Sequence, residues 1–203
     1  MQTLLYFHDP MCSWCWGYRP TWLKLLQLIP GSIHIEYIVG GLAPDSDQIM
    51  PKSMVNAIQT HWHRIESELG TQFNYDFWVE CAPRRSTYPA CRAVIAAKLQ
   101  NAEQVMIHAI QEAYYLKAKN PSNIDTLVML AENLKLNVEH FKRDLRSQQT
   151  EETLIEQVDL ARKLDVPGFP SLVLKSKGSL YPIDVNYTDA KVTAKLIMKY
   201  LSV

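Results

Sequence analysis

Apolar residues open the chain as an unbroken run and return later at alternate positions. Leu4, Leu5, Tyr6 and Phe7 are contiguous, as in a strand covered on both faces, and predict a strand over Thr3–Phe7. Ile33, Ile35, Tyr37 and Val39 alternate, and predict a second strand over Ile33–Val39. Between them Trp22, Leu23, Leu25, Leu26 and Ile29 recur at helical spacing. Pro20 falls inside that helix, removes the hydrogen bond to the Trp16 carbonyl, and predicts a kink.

Gly40-Gly41 closes the second strand, and the periodicity then becomes helical from about Asp45 to Ser147. One stripe is Met54, Ile58, Trp62, Ile65 and Leu69. A second is Val105, Ala109, Ala113 and Leu116, and a third is Ile124, Leu127, Val128, Ala131 and Leu134. Breaks fall at Gly70, at Pro83 to Pro89 and at Asn120-Pro121.

Beyond this block Thr150 is placed to cap a helix running to about Leu164, with Glu151 and Glu152 in its first turn. Ser171–Leu174 and Ser179–Ile183 read as strands joined at Lys177-Gly178. Thr188 or Asp189 opens a last helix with the stripe Val192, Leu196 and Tyr200. The expectation is an α/β protein. A β-α-β unit and an α-β-β-α unit share one mixed sheet of about four strands, interrupted by a large all-helical insertion. Residues 1–44 and 148–203 would form one discontinuous domain, and residues 45–147 the inserted one.

Composition narrows the partners. Acids and bases balance at 21 each, and no basic run of five appears, so nucleic acid is not an expected partner. No stretch approaches the roughly 18 apolar residues that predict a membrane-crossing helix. The N-terminus lacks the pattern of a secretory signal, which implies a cytoplasmic protein. Four cysteines in 203 residues do not suggest a structural disulfide framework.

The candidate chemistry lies in His8-Asp9-Pro10-Met11-Cys12-Ser13-Trp14-Cys15-Trp16. A strand that delivers Cys-x-x-Cys to a helix start is the arrangement of a thiol–disulfide centre. The unpaired N–H groups and positive dipole end of a helix stabilise an anion, which favours thiolate character on the first sulfur. The second sulfur lies one turn on and can close a disulfide with it. A zinc site would need two more ligands at workable spacing, and there is no second Cys-x-x-Cys.

Late in the chain, Asp165-Val166-Pro167-Gly168-Phe169-Pro170 leads from a helix into an apolar strand. Proline is tolerated at a strand start, and X–Pro bonds have only a modest cis cost. Trp14, between the cysteines, is expected at the surface, where an apolar rim suits docking of flexible segments. Trp22 is expected in the core. His61 and His63 lie two apart and do not converge on a helix, so no metal is expected. Cys81 and Cys91 are expected to be thiols. His8 could tune Cys12 or shuttle a proton, whereas the carboxylate of Asp9 would oppose a nearby thiolate.

With these pieces in place the chain resembles the DsbA-like branch of the thioredoxin superfamily, and its Cys-Ser-Trp-Cys centre is similar to that of FrnE-like oxidoreductases. The resemblance implies a thioredoxin-like fold with a helical insertion and a thiol–disulfide oxidoreductase. Carried over by position, Cys12 is similar to the family's nucleophile, Cys15 to its resolving cysteine and Pro170 to its cis-proline. Trp14, Phe169 and Pro170 are then expected to meet substrate.

No cofactor is expected beyond the redox-active Cys12–Cys15 pair, with glutathione a candidate electron partner. Expected partners are thiol- or disulfide-containing proteins and small thiols. Two alternatives stand beside this. Kappa-class glutathione transferases and 2-hydroxychromene-2-carboxylate isomerases share the fold but carry serine where Cys12 stands. A non-catalytic, chaperone-like binding module would use the aromatic rim alone.

Overall fold

The contiguous apolar run becomes the best-covered strand of the molecule. A computed structural model describes residues 2–202. Its elements are β1 Thr3–His8, α1 Ser13–Leu28, β2 His34–Val39, α2 Lys52–Leu69, α3 Phe77–Glu80, α4 Tyr88–Lys98, α5 Glu103–Tyr115, α6 Ile124–Asn133, α7 Val138–Leu145, α8 Gln148–Lys163, β3 Ser171–Ser176, β4 Ser179–Ile183 and α9 Ala190–Ser202. The sheet order is β2-β1-β3-β4, with β1 parallel to β2 and antiparallel to β3, and β3 antiparallel to β4. This is the mixed four-stranded sheet that the pattern predicts.

All six residues of β1 are buried. Leu4 and Tyr6 join a core with Tyr18, Trp22 and Leu25 of α1, while Leu5 and Phe7 pack on the opposite face with Ile38, Val173 and Ala161 of α8. Both faces are therefore apolar, which is why the run does not alternate. Leu4, Phe7 and Leu25 are wholly inaccessible, each side chain stabilising the fold by roughly 1.5–3 kcal/mol relative to exposure. The first core continues through α4, α5, α6 and α7, taking in Ala93, Met106, Leu127 and Phe141.

Close helix packing also fixes α1. Gly17 faces α2 so tightly that a Cβ there would stand 2.8 Å from Ile65 Cγ2 and 3.0 Å from Leu69 Cδ1. Pro20 lies inside α1, yet the helix runs unbroken from Ser13 to Leu28.

Three expectations are corrected by packing. The α8 cap is Ser147, whose hydroxyl accepts the Thr150 N–H at 3.1 Å; Thr150 itself is buried inside the first turn. A serine three residues earlier completes the same side-chain bond and starts the helix sooner. On α5, Val105 is 51% exposed and the buried face is Met106, Ile107, Ile110 and Tyr114. On α9, Val192 is exposed and Thr193, Ala194 and Ile197 are buried. Elsewhere each predicted stripe keeps contact with the core, Ala113 being buried and Ala109, Leu196 and Tyr200 packed against it, so it is the leading valine of each helix that is misplaced. The α2 stripe keeps its phase, with Trp62 and Ile65 buried.

Candidate active site

The turn between β1 and α1 is organised by one buried carboxylate. Asp9 is wholly inaccessible, and its oxygens accept the Met11 N–H (2.8 Å), the Leu42 N–H (2.8 Å), the Thr87 hydroxyl (2.7 Å) and the Cys91 thiol (3.6 Å). Its backbone carbonyl accepts the Cys12 N–H at 3.0 Å. Burial pushes the Asp9 carboxyl up, and the donors around it pull the other way. Asp9 thus ties the cysteine turn to the end of β2 and the start of α4. The sequence gives no signal for this, because Leu42, Thr87 and Cys91 are remote in the chain.

Cys12 is the N-cap of α1, and its carbonyl accepts the Trp16 N–H at 3.1 Å. The residue therefore stands at the positive dipole end of α1, although its sulfur makes no capping hydrogen bond to the first turn. The thiol donates to the carbonyl of Phe169 at 3.3 Å, 157 residues away in sequence. The Phe169–Pro170 peptide is cis, and Pro170 is buried. The ring of Phe169 lies against Gly40, where any Cβ would fall inside it. Gly40 is thus a residue that sequence reasoning left out of the site.

The two thiols differ in access. Cys12 is 7% exposed and Cys15 is fully buried. Burial first, then the hydrogen bond and charge of Cys12, push the Cys15 thiol well above its ordinary range. Both are free thiols here, as are Cys81 and Cys91. Cys81 donates to the Ala118 carbonyl at 3.2 Å and Cys91 to Asp9, in separate surroundings.

Cys12 opens on a cavity of about 330 Å³. Methionines 11, 50 and 54, with Ile58 and Trp62, give it an adaptable apolar wall. Arg84, Arg85 and His61 add polarity on another side. Arg84 donates to the Ser122 carbonyl at 2.6 Å, whereas Arg85 is exposed. Trp14 and Phe169 also line this cavity. Trp14 is half-buried, edge-on to Tyr187 with ring centroids 5.2 Å apart and with the Arg64 guanidinium 5.3 Å above it. The structure therefore brings Cys12, Trp14 and Phe169 to one cavity, with Pro170 directly behind Phe169 and Cys15 beneath.

The remaining aromatic residues of α1 serve packing. Tyr18 and Trp22 are core residues, and Trp16 stacks on Tyr115 while donating to the Gln72 carbonyl at 3.0 Å. His8 is buried, stacked on Tyr6, and neither ring nitrogen has a hydrogen-bond partner. Burial lowers its pKa to about 3, so the ring is neutral near pH 7 and brings no positive charge to Cys12. His63 pairs with the Tyr75 hydroxyl at 2.9 Å, apart from the His61 side of the helix. Among the described residues no helix is long and apolar enough to cross a membrane.

Comparison with known proteins supplies the relatives. The thioredoxin family model matches residues 5–186. The ClpXP adapter protein SpxH of Bacillus subtilis is 30% identical over 169 residues, covering 82% of this chain and 56% of that protein. The chain thus spans little more than half the length of the curated relatives it matches. A Nitrosomonas europaea protein, provisionally named a protein disulfide isomerase, superposes with a TM-score of 0.87 and 26% identity, over 99% of this chain and 98% of that one. The cytosolic disulfide reductase DsbM of Pseudomonas aeruginosa shares the fold, with a TM-score of 0.81 at 22% identity over 98% of each chain.

Proposed function

The chain belongs to the thioredoxin family, and from that premise we propose that it is a cytoplasmic thiol–disulfide oxidoreductase with Cys12 as nucleophile and Cys15 as resolving thiol. The observation that carries this reading is the position of the Cys12 sulfur. It belongs to the N-cap residue of α1, donates to the Phe169 carbonyl at 3.3 Å and opens on the 330 Å³ cavity, with a second thiol one turn inside.

The chemistry follows from that placement. Cys12, as thiolate, attacks a substrate sulfur in line with its disulfide; one substrate thiolate leaves and a mixed disulfide forms. Deprotonation of Cys12 also releases the Phe169 carbonyl, which can then accept an N–H from an extended substrate segment. Cys15 attacks the Cys12 sulfur, expels the second substrate thiolate and leaves the Cys12–Cys15 disulfide. The reverse sequence oxidises a dithiol.

The cavity suits small peptidic thiols. Trp14 and Phe169 provide apolar contact, and Arg85 provides a cation at the rim. Glutathione fits this chemistry as electron partner, and the DsbM fold has been captured with it.

A second reading has one observation in its favour: the curated relatives are named as adapters of ClpXP. A binding module would use the same methionine-lined rim to hold a protein client without sulfur chemistry. Redox titration separates the two. In glutathione buffers of graded ratio, alkylation and mass measurement are expected to give one two-electron transition for Cys12–Cys15, with insulin disulfides reduced at a rate lost in Cys12→Ser. Client binding that survives Cys12→Ser and Cys15→Ser, with no disulfide turnover by the unaltered protein, would establish the adapter reading instead.

A further inference from the structure

Resolution by Cys15 raises a problem of proton disposal. The thiol is fully buried, and when it must ionise, the Cys12 sulfur is bonded to substrate and cannot take the proton. The Asp9 carboxylate is already engaged by four donors, and His8 is a weak base in its buried site.

A second cavity, of about 50 Å³, reaches Cys15 along the α1 face that carries Arg19, Trp22 and Leu23. Tyr6, Tyr37, Arg19, Leu23 and Gln111 are among its walls, and it shares no lining residue with the cavity at Cys12. Gln111 is 3% exposed, yet its Oε1 has no hydrogen-bond partner. A buried carbonyl left unpaired keeps its full desolvation penalty, an unusual feature unless something else satisfies it. Water meets the requirement: a site needs roughly 10–15 Å³ and two to four polar partners to hold one molecule. Gln111 Oε1 accepts, Cys15 can donate, and the Tyr37 hydroxyl, which already accepts the Trp22 indole N–H at 3.2 Å, keeps its own proton to give. At the outer end Leu23 is 44% exposed, so the cavity meets the surface.

We propose that this cavity is the proton exit of Cys15, with Gln111 as the positioning residue that holds the water carrying the proton outward. The inference rests on the oxidoreductase reading above. In the step it serves, the Cys15 S–H proton passes to cavity water. The freed sulfur lone pair forms the bond to Cys12, the Cys12–substrate S–S bond breaks, and its electron pair leaves on the substrate thiolate. The substrate disulfide is reduced as the dithiol is oxidised, with no further reagent.

The test resolves the two sulfur steps. In a Cys81→Ser background, reaction with 5,5′-dithiobis(2-nitrobenzoate) releases one chromophoric thiolate when Cys12 attacks and a second when Cys15 resolves. Gln111→Leu is expected to slow the second release about tenfold or more and to leave the first within about twofold, in line with the rates that positioned proton transfer supplies. Gln111→Glu, which keeps the acceptor oxygen, is expected to restore the second step. Leu23→Trp, at the exposed mouth, plugs the cavity without disturbing the core and is expected to act on the second step alone. Unchanged second release in Gln111→Leu and Leu23→Trp, or equal slowing of both steps, would overturn the proposal. A wild-type protein that releases a single equivalent would overturn the oxidoreductase reading and this proposal with it.

Discussion

Cys12 and Cys15 stand one helical turn apart and face unlike surroundings. Cys12 looks into a 330 Å³ cavity walled by methionines and rimmed by arginine; Cys15 looks into a 50 Å³ cavity where the rings of Tyr6, Trp22 and Tyr37 meet the polar side chains of Arg19 and Gln111. The first is large and adaptable enough for a substrate, the second large enough for water. What separates them is the first turns of α1, held at the start by the Cys12 N–H on the Asp9 carbonyl and further along by Trp22, which stacks on Tyr6 and meets Tyr37 edge-on. On the proposed reading, a single turn of helix divides the reaction into a side that handles substrate and a side that handles protons.

The sharpest way to break this division is to remove each sulfur in turn. Cys12→Ser is expected to reduce disulfide turnover to background, because no other thiol lines the larger cavity among the described residues. Cys15→Ser is expected to leave the first attack intact and to trap one equivalent of substrate on Cys12, read as a mass adduct removed by dithiothreitol. An adduct on Cys81 or Cys91, or sustained turnover by Cys15→Ser, would erase the distinction.

Next in size is a pH effect from the buried side. The His8 pKa falls from 6.5 to about 3 on folding, so between those values the unfolded chain binds more protons than the folded one. The stability that His8 confers is complete above pH 6.5 and is lost as pH falls through this window, by up to about 1.4 kcal/mol per pH unit. Urea denaturation across pH 4–7 is expected to show this slope diminished in His8→Phe relative to the unaltered protein. Parallel curves would mean that His8 is hydrated and titrates freely.

How much of this was legible in the sequence differs between the two halves of the structure. The sheet was readable, because strand periodicity is short and local: Leu4 to Phe7 and Ile33 to Val39 needed no knowledge of their neighbours. The cysteine turn was readable as a motif for the same reason. The leading positions of the α5 and α9 stripes were not, since Val105 and Val192 lose their places to Met106 and Ala194 only through contacts made in three dimensions. The larger cavity was illegible for a stronger reason. Its walls come from Met11, Leu42, Met54, Arg85, Tyr114 and Phe169, which no local pattern connects.

Gly40 gives a smaller and more local test on the substrate side. Its lack of a Cβ seats the Phe169 ring, and that ring's backbone carbonyl meets the Cys12 thiol. Gly40→Ala must push the ring aside and shift the carbonyl with it. A displacement of this kind is expected to lower kcat/KM for disulfide reduction on the order of tenfold. The second release of chromophore, which depends on Cys15, is expected to stay at its normal rate. A uniform loss in both steps would show that Phe169 supports the whole helix rather than the substrate cavity.

The mildest perturbation concerns charge at the rim. Arg85 is exposed and lines the larger cavity, so its attraction for an anionic reagent is screened by solvent. Exposed ion pairs of this kind contribute about 0.2–1 kcal/mol, which corresponds to roughly a 1.4- to 5-fold change in rate. Arg85→Gln is expected to slow attack on 5,5′-dithiobis(2-nitrobenzoate), which carries two carboxylates, by about that factor. Attack on hydroxyethyl disulfide, which carries none, is expected to stay unchanged. The difference between the two reagents is expected to shrink as salt is raised, because screening removes the attraction but leaves the cavity's shape alone. Equal slowing with both reagents would assign Arg85 to shape rather than charge. The arginine rim would then no longer distinguish the Cys12 side from the Cys15 side.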